Sequence, residues 1–145
     1  MPNFNDAEIT ALYVSAGSAP GVQDDVPNAQ GVPGPPVPYF DVTLEMVAGG
    51  GLGTGVYTLV LTCSNISDTV PAPAVLVPGA PLNGPHAFGT PPWVLSAPGL
   101  WTFNQHATLK VPPGAANKVY QYTAALVSAN NQVVSIKQSD LFTLV

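Results

Sequence analysis

The sequence predicts an all-β fold in which two antiparallel sheets pack face to face. Glycine and proline, 14 and 17 of the 145 residues, lie in clusters between short runs rich in valine, threonine and tyrosine. Such clusters are typical of the turns between short strands. The longest stretch free of both residues, 115–145, has the composition of strands and lacks a helical apolar period.

The first two strands are predicted at 8–16 and 39–48, separated by a long proline-rich loop at 17–38 that favours extended geometry. Side chains of the second strand alternate between apolar and polar, which is the pattern of a strand with one solvent-facing side. The side expected in the core carries Phe40, Val42, Leu44 and Met46. The side expected to face water carries Asp41, Thr43 and Glu45.

The middle of the chain contributes the next strands. A glycine-rich turn at 49–55 leads into a third strand at 56–64. Two short strands are expected at 73–79 and 92–99, both at sheet edges, because proline is tolerated there and not in the centre of a sheet. The strand at 101–111 alternates clearly, with one side predicted inward: Trp101, Phe103, Gln105, Ala107, Leu109 and Val111.

A hairpin is predicted at the end of the chain, with arms at 118–129 and 132–145. It turns at Asn130 and Asn131, which tolerate a positive φ. The inward set of the first arm is predicted to be Tyr120, Tyr122, Ala124 and Leu126. The total is seven or eight strands in a single domain spanning 1–145, and the alternation gives each sheet one solvent face.

The C-terminal part of the chain, 109–145, resembles the closing strands of bacterial immunoglobulin-like and fibronectin-III-like domains. The residues that carry this resemblance are Pro113 with Gly114, Tyr120 or Tyr122, Asn130 with Asn131, and Ser139 with Phe142. The resemblance implies an immunoglobulin-like β-sandwich. Antibody-type domains also have a Cys–Trp–Cys core, which a single cysteine excludes. The superfamily shares no active site, so the resemblance implies a scaffold and no activity.

The charge balance excludes some partners. The chain has three lysines, no arginine and eight carboxylates, for a net charge of -5. Binding to nucleic acid or to an anionic membrane needs more cations than three lysines supply. A surface with so few charges is poorly protected against association. We therefore expect a protein partner or a homo-oligomer.

Cys63 is the one cysteine, which makes a disulfide within the chain impossible. Alternation places its side chain on the core side of its strand, where a thiol is inert. An intermolecular or redox-sensitive thiol and a catalytic nucleophile remain as alternatives. Catalysis would need a neighbouring base. Of the two histidines, His86 lies in a loop rich in proline and glycine, and His106 is predicted on the outward side of its strand.

Neither a metal site nor a cofactor is expected. Zinc needs three or four cysteine or histidine ligands, and the three such residues here are scattered. Asp24 and Asp25 lack the ladder of oxygen ligands that an EF-hand calcium loop has. Asp41 and Glu45 lie four residues apart on one strand, roughly 13 Å between Cα atoms, too far for the usual carboxylate pairing.

Aromatic residues near the loops are the remaining candidates for a ligand site. Trp93, Phe88 and His86 lie in or near a proline- and glycine-rich connection, where side chains are often exposed. Exposed rings of this kind would form a platform for carbohydrate. The alternative interpretation is that Trp93 covers one open end of the sandwich.

These observations predict a non-catalytic structural or protein-interaction module, self-associating or part of a larger assembly. Contact is expected through an exposed edge strand near the termini or in the 69–95 region. The alternative is a carbohydrate-binding module that uses the platform of Trp93, Phe88 and His86. The first ten residues do not have the pattern of a signal peptide, which favours a soluble, cytoplasmic protein.

Overall fold

The computed structural model describes residues 7–17, 19–26, 39–49, 56–71, 78, 82–88, 90–96, 99–111, 115 and 117–144. Within these ranges all regular elements are strands, and the fold is an all-β sandwich of two antiparallel sheets. Most of the loop expected at 17–38, the glycine-rich turn at 49–55 and the edge strand expected at 73–79 lie outside the described residues. The predicted fold class is confirmed.

The described residues form ten strands, more than the seven or eight expected. Their bounds are β1 Ala7–Ala16, β2 Tyr39–Gly49, β3 Val56–Asn65, β4 Val70–Pro71, β5 Gly84–Ala87, β6 Val94–Ser96, β7 Leu100–Lys110, β8 Val119–Val127, β9 Val133–Gln138 and β10 Phe142–Thr143. Seven of the eight predicted strands have counterparts in the described residues, since the one expected at 73–79 lies outside them. The strands β4 and β5 were not predicted, and the last predicted strand is divided into β9 and β10.

The first sheet has the strand order β1-β2-β7-β6. In the second sheet, β8 pairs with β3 along one edge. Along its other edge, β8 pairs first with β9 and then with β10. The short strands β4 and β5 pair with the edge of β3 that faces away from β8. All of these pairs are antiparallel. Each sheet therefore turns one face to the interior and one face outward.

Strand β2 is central in the first sheet because β1 and β7 pair with it on either side. The β2–β7 pairing is unbroken from Tyr39 opposite Lys110 to Gly49 opposite Leu100. The inward set expected from alternation is confirmed, since Phe40, Val42, Leu44 and Met46 are all buried. The sequence pattern therefore predicts the core-facing side chains of β2 correctly.

Strand β8 forms the opposite wall of the core. Its predicted inward set is confirmed, because Tyr120, Tyr122, Ala124 and Leu126 are buried. The Tyr122 and Phe142 rings stack with centroids 5.3 Å apart, and Phe142 lies 6.1 Å from Phe40 of the other sheet. The buried Tyr120 hydroxyl donates to the Ala115 carbonyl at 2.8 Å, which ties the start of β8 to the preceding loop. Aromatic contacts therefore join the two sheets.

The hairpin between β8 and β9 turns at Asn131, which has a φ of 59°, as the asparagine pair predicts. The chain then leaves the β8 ladder at Ser139. Its hydroxyl accepts from the Tyr122 N–H and donates to the Asp140 carbonyl. This side-chain bond replaces part of the ladder and explains why the closing strand is two strands.

The open side between β1 and the second sheet is partly closed by the segment after β1. The Asp24 N–H donates to the Val14 carbonyl, and the Asp25 carbonyl accepts from the Thr143 N–H. The Ile9 N–H donates to the Ser135 hydroxyl of β9 at 3.1 Å. These bonds cover an edge near the amino terminus that would otherwise present unpaired backbone groups.

Candidate functional site

The three residues of the expected carbohydrate platform lie close together in one aromatic cluster. Phe88 and Trp93 have ring centroids 4.7 Å apart, and the His86 ring lies 5.0 Å from Phe103. Trp93 in turn packs edge-on against Phe103 at 5.3 Å. Phe103 belongs to β7 of the first sheet, and His86 belongs to β5 of the second. The cluster therefore fills the space between the sheets.

The expectation that these rings are exposed is wrong. Trp93, Phe88 and His86 keep only 2%, 3% and 8% of their surface accessible. The His86 imidazole is also occupied, with Nε2 3.1 Å from the Leu82 carbonyl oxygen. Stacking a sugar requires an accessible ring face, which these side chains lack. Loop composition predicted exposure, but the rings pack against one another in the gap between the sheets.

Cys63 lies on the core side of β3, opposite Tyr122 of β8, as alternation predicts. Burial raises the pKa of the Cys63 thiol to about 12, against a smaller lowering effect of a backbone hydrogen bond at Gln121. A thiol with such a pKa is neutral at physiological pH and is neither a good nucleophile nor a good metal ligand. Cys63 is therefore a small apolar group in the core.

A polar cluster on the outer face of the first sheet was not predicted. Asp41 of β2 is nearly fully buried, and its Oδ1 accepts from the Thr108 hydroxyl of β7 at 2.7 Å. Its Oδ2 lies 3.0 Å from Nδ1 of His106, whose side chain is 59% exposed. This second contact lacks hydrogen-bond geometry, so Oδ2 lies beside the imidazole without a hydrogen bond.

Asp41 and Thr43 were expected to face water, and this expectation is wrong. They keep 1% and 3% of their surface accessible. The segment after β1 folds back toward this face, where the Tyr13 hydroxyl donates to the Gly21 carbonyl at 3.2 Å. A pocket of about 300 Å³ remains, lined by Tyr13, Pro20, Gly21, Thr43, Glu45, Asn104 and His106. The direction of these side chains was predicted correctly, and their environment was not.

The chemistry available to this cluster is limited to holding an imidazole beside a carboxylate. An aspartate that orients a histidine is part of a hydrolytic triad, but the triad also needs a hydroxyl or thiol bonded to the other ring nitrogen. Within the described ranges, the one recorded polar contact of His106 is the contact with Asp41. The Ser15 and Thr43 hydroxyls nearby are buried without hydrogen-bond partners. Among the described residues, the cluster is polar and open to solvent at His106, and it lacks a hydroxyl or thiol bonded to the His106 ring.

Cross-strand register assembles this cluster, which explains why the sequence did not reveal it. Asp41 is opposite Ser15 on one side and Thr108 on the other, and Thr43 is opposite His106. Polar residues at alternate positions of three separate strands were visible in the sequence. Only the strand pairing brings residues 15, 41 and 108 into one row.

Two other kinds of site are not found in the part of the chain that the structure describes. No group of three or more histidine, cysteine, aspartate or glutamate residues there is placed to hold a metal ion. In the same ranges, no helix has the length and apolar character needed to cross a membrane.

The outer face of the second sheet has the opposite composition. It displays one row of Val60, Ala125 and Ile136 and a neighbouring row of Thr58, Val127 and Val133, set side by side across β3, β8 and β9. Ile136 and Val60 remain 63% and 44% exposed. We call this surface the β3–β8–β9 face. The β6 edge of the first sheet is also apolar and exposed, at Val94 and Leu95.

No protein-family model matches the chain, and a search of curated proteins found no similar sequence.

Proposed function

We propose that this chain is a non-catalytic structural or protein-interaction module on an immunoglobulin-like β-sandwich, and that it associates with copies of itself or with another protein. The observation that carries the proposal is the combination of exposed apolar side chains with a charge-poor surface. Large apolar residues are exposed on β3, β6 and β9, whereas the whole chain has three lysines and eight carboxylates. Exposed apolar patches of this kind are typical of interaction surfaces.

The strand order supports the immunoglobulin-like part of the proposal. In the constant-type immunoglobulin fold, strands A, B, E and D form one sheet and C, F and G form the other. The order β1-β2-β7-β6 corresponds to the first set, and β3, β8 and β9 correspond to the second. The bond from the Tyr120 hydroxyl to Ala115 also matches the tyrosine corner of that fold at the start of strand F.

The state of the reactive side chains supports the absence of catalysis. Cys63 is buried and neutral, and the His86 ring is enclosed in the aromatic cluster. His106 is the imidazole that substrates could reach, so it is the residue on which an activity assay should be aimed. Hydrolysis of an ester or peptide panel that disappears in His106→Ala would contradict this part of the proposal. The carbohydrate alternative is not proposed, because the rings it requires are buried.

Light scattering after size-exclusion chromatography tests the association. We expect the molar mass to rise between about 10 µM and about 1 mM, the range in which small interfaces dissociate. An apolar contact should persist or strengthen in high salt, because screening weakens the repulsion between chains of net charge -5. A constant monomer mass across this range would contradict the homomeric form of the proposal.

A further inference from the structure

Within that proposed function, on which this inference rests, we propose that the β3–β8–β9 face is where a second copy of this chain binds, through a two-fold symmetric, face-to-face contact. The register of the strands determines which side chains form this face. Outward positions of β3 are paired with outward positions of β8, and these with outward positions of β9. The β5 residues Pro85 and Ala87 extend it beyond β3. The result is a continuous surface across four neighbouring strand positions.

The composition of this face indicates an uncharged partner. Its side chains are valine, isoleucine, alanine, proline, threonine, serine and glutamine: Val56, Thr58, Val60, Thr62, Ser64, Pro71, Pro85, Ala87, Gln121, Thr123, Ala125, Val127, Val133, Ile136 and Gln138. None of these residues is ionisable. A charged partner would lose hydration on this surface without gaining an ion pair, whereas an identical neutral face loses little.

The positions of the carboxylates favour binding of a second copy on this face over binding on another part of the surface. Asp41 and Glu45 lie on the outer face of the first sheet, and Glu8 lies on β1. The other described carboxylates are in the segment after β1, in the turn after β3 and between β9 and β10: Asp24, Asp25, Asp68 and Asp140. Two chains of net charge -5 can therefore meet on the β3–β8–β9 face without placing any of these described carboxylates in the contact.

The area of the face predicts a weak dimer. The strands that form the face, β3, β8, β9 and β5, have 10, 9, 6 and 4 residues. At about 3.3 Å along a strand and about 4.8 Å between strands, this gives roughly 450 Å² per copy. A standard stable interface buries about 800 Å² per partner, and smaller ones are transient. The competing contact at the β6 edge has three residues and is only about 10 Å long, too little to hold two copies by itself. The face is therefore the larger of the two contacts, and we expect it to dissociate reversibly.

Lysine substitutions on the face and at the edge separate the two contacts. Val60→Lys and Ile136→Lys should each weaken the dimer about tenfold or more, because both copies would bury a charge in an uncharged contact. Val94→Lys is the matched control, since Val94 is a similarly exposed apolar strand residue, 58% against 63% for Ile136. It should leave the dimer unchanged. Sedimentation equilibrium gives the dissociation constants, and circular dichroism verifies that each variant is folded.

Methyl NMR with a soluble paramagnetic agent locates the contact in the unmodified chain. As concentration rises, the methyl groups of Val60, Ala125 and Ile136 should become protected from the agent, while those of Val94 should not. A dimer that survives both face substitutions, or protection at Val94 instead, would overturn this inference and leave the proposed association standing. A monomer at every concentration would overturn both this inference and the homomeric form of the proposed function.

Discussion

On the two outer faces of the sandwich, the burial of side chains is the opposite of what their polarity suggests. The first sheet presents Asp41 and Thr43, which are polar and buried. The second sheet presents Val60 and Ile136, which are apolar and exposed. Burial on these faces therefore does not follow residue type. It follows what lies above each face, because the segment after β1 folds over the first sheet near Tyr13 and the second sheet remains accessible.

The two faces therefore differ in their free-energy costs. On the first face, a buried carboxylate depends on a few neighbours that offset its desolvation. On the second face, exposed apolar side chains cost little in the monomer and are available to a partner. Substitutions on the first face should therefore change stability, and substitutions on the second should change association.

The largest effect is expected from Thr108→Val on the first face. The substitution keeps the shape of the side chain but removes the donor to Asp41 Oδ1, leaving a buried charged acceptor without its hydrogen bond. Such a loss costs about 2 kcal/mol of unfolding free energy. Urea denaturation followed by tryptophan fluorescence measures it.

Thr102→Val is the matched control on the same side of β7. Its hydroxyl donates to the Val94 carbonyl at an exposed position, so the same substitution should cost less than about 0.5 kcal/mol. Equal losses in the two variants would mean that Asp41 is effectively hydrated, and the contrast between the two faces would fail.

An intermediate effect is expected from the Cys63 thiol, which lies in the core between the two sheets. The folded pKa of Cys63 is about 12 and the ordinary value is 9.0, so above pH 9 the unfolded chain releases a proton that the folded chain keeps. The stabilisation from the neutral thiol is complete below pH 9 and is lost as the pH rises toward 12. Between pH 8 and pH 10 the unfolding free energy should fall by about 1.4 kcal/mol through this group.

Cys63→Ala isolates the contribution of the thiol. The pKa values of Tyr120 and Tyr122 are also raised, mainly by burial, and both variants keep these tyrosines, so the burial part of their alkaline titration cancels in the difference. The smaller part that the Cys63 charge adds to both shifts is removed together with the thiol. The two pH profiles should diverge above pH 9. Parallel profiles, or rapid reaction of the native thiol with a disulfide reagent at pH 8, would place Cys63 on the open side of β3 and reverse the assignment of its faces.

The smallest effect is expected from Ile136→Thr on the second face. Ile136 is largely exposed, so the monomer should lose less than about 0.5 kcal/mol of unfolding free energy. Thermal and urea unfolding at a concentration below that of dimer formation would measure it. A loss comparable to that of Thr108→Val would show that Ile136 already packs against other residues in the monomer.

The sequence predicted the fold well where the local pattern was strong. Alternation identified the inward side chains of β2 and β8, and the asparagine pair predicted the turn at Asn131. It missed β4 and β5, which have two and four residues and exist because β3 offers them a partner. It also did not anticipate that the Ser139 hydroxyl would divide the closing strand.

The candidate site was predicted less well, for a related reason. The composition around Trp93 and Phe88 indicated a loop, but the position of a ring relative to two sheets is not a local property. The contact of Asp41 with His106 likewise depends on the register of β2 with β7. Neither of these environments can be derived from one segment alone.

By itself, the sequence determined where the long strands lie and which side chains of β2, β3 and β8 leave the core, because the two-residue period is a property of the extended backbone. The tertiary structure alone decided whether a side chain that leaves the core meets water. That outcome depends on residues outside the strand itself, such as 21 over 13 or, from much farther along the chain, 108 beside 41. Local sterics set the direction of a side chain, and long-range packing sets its surroundings.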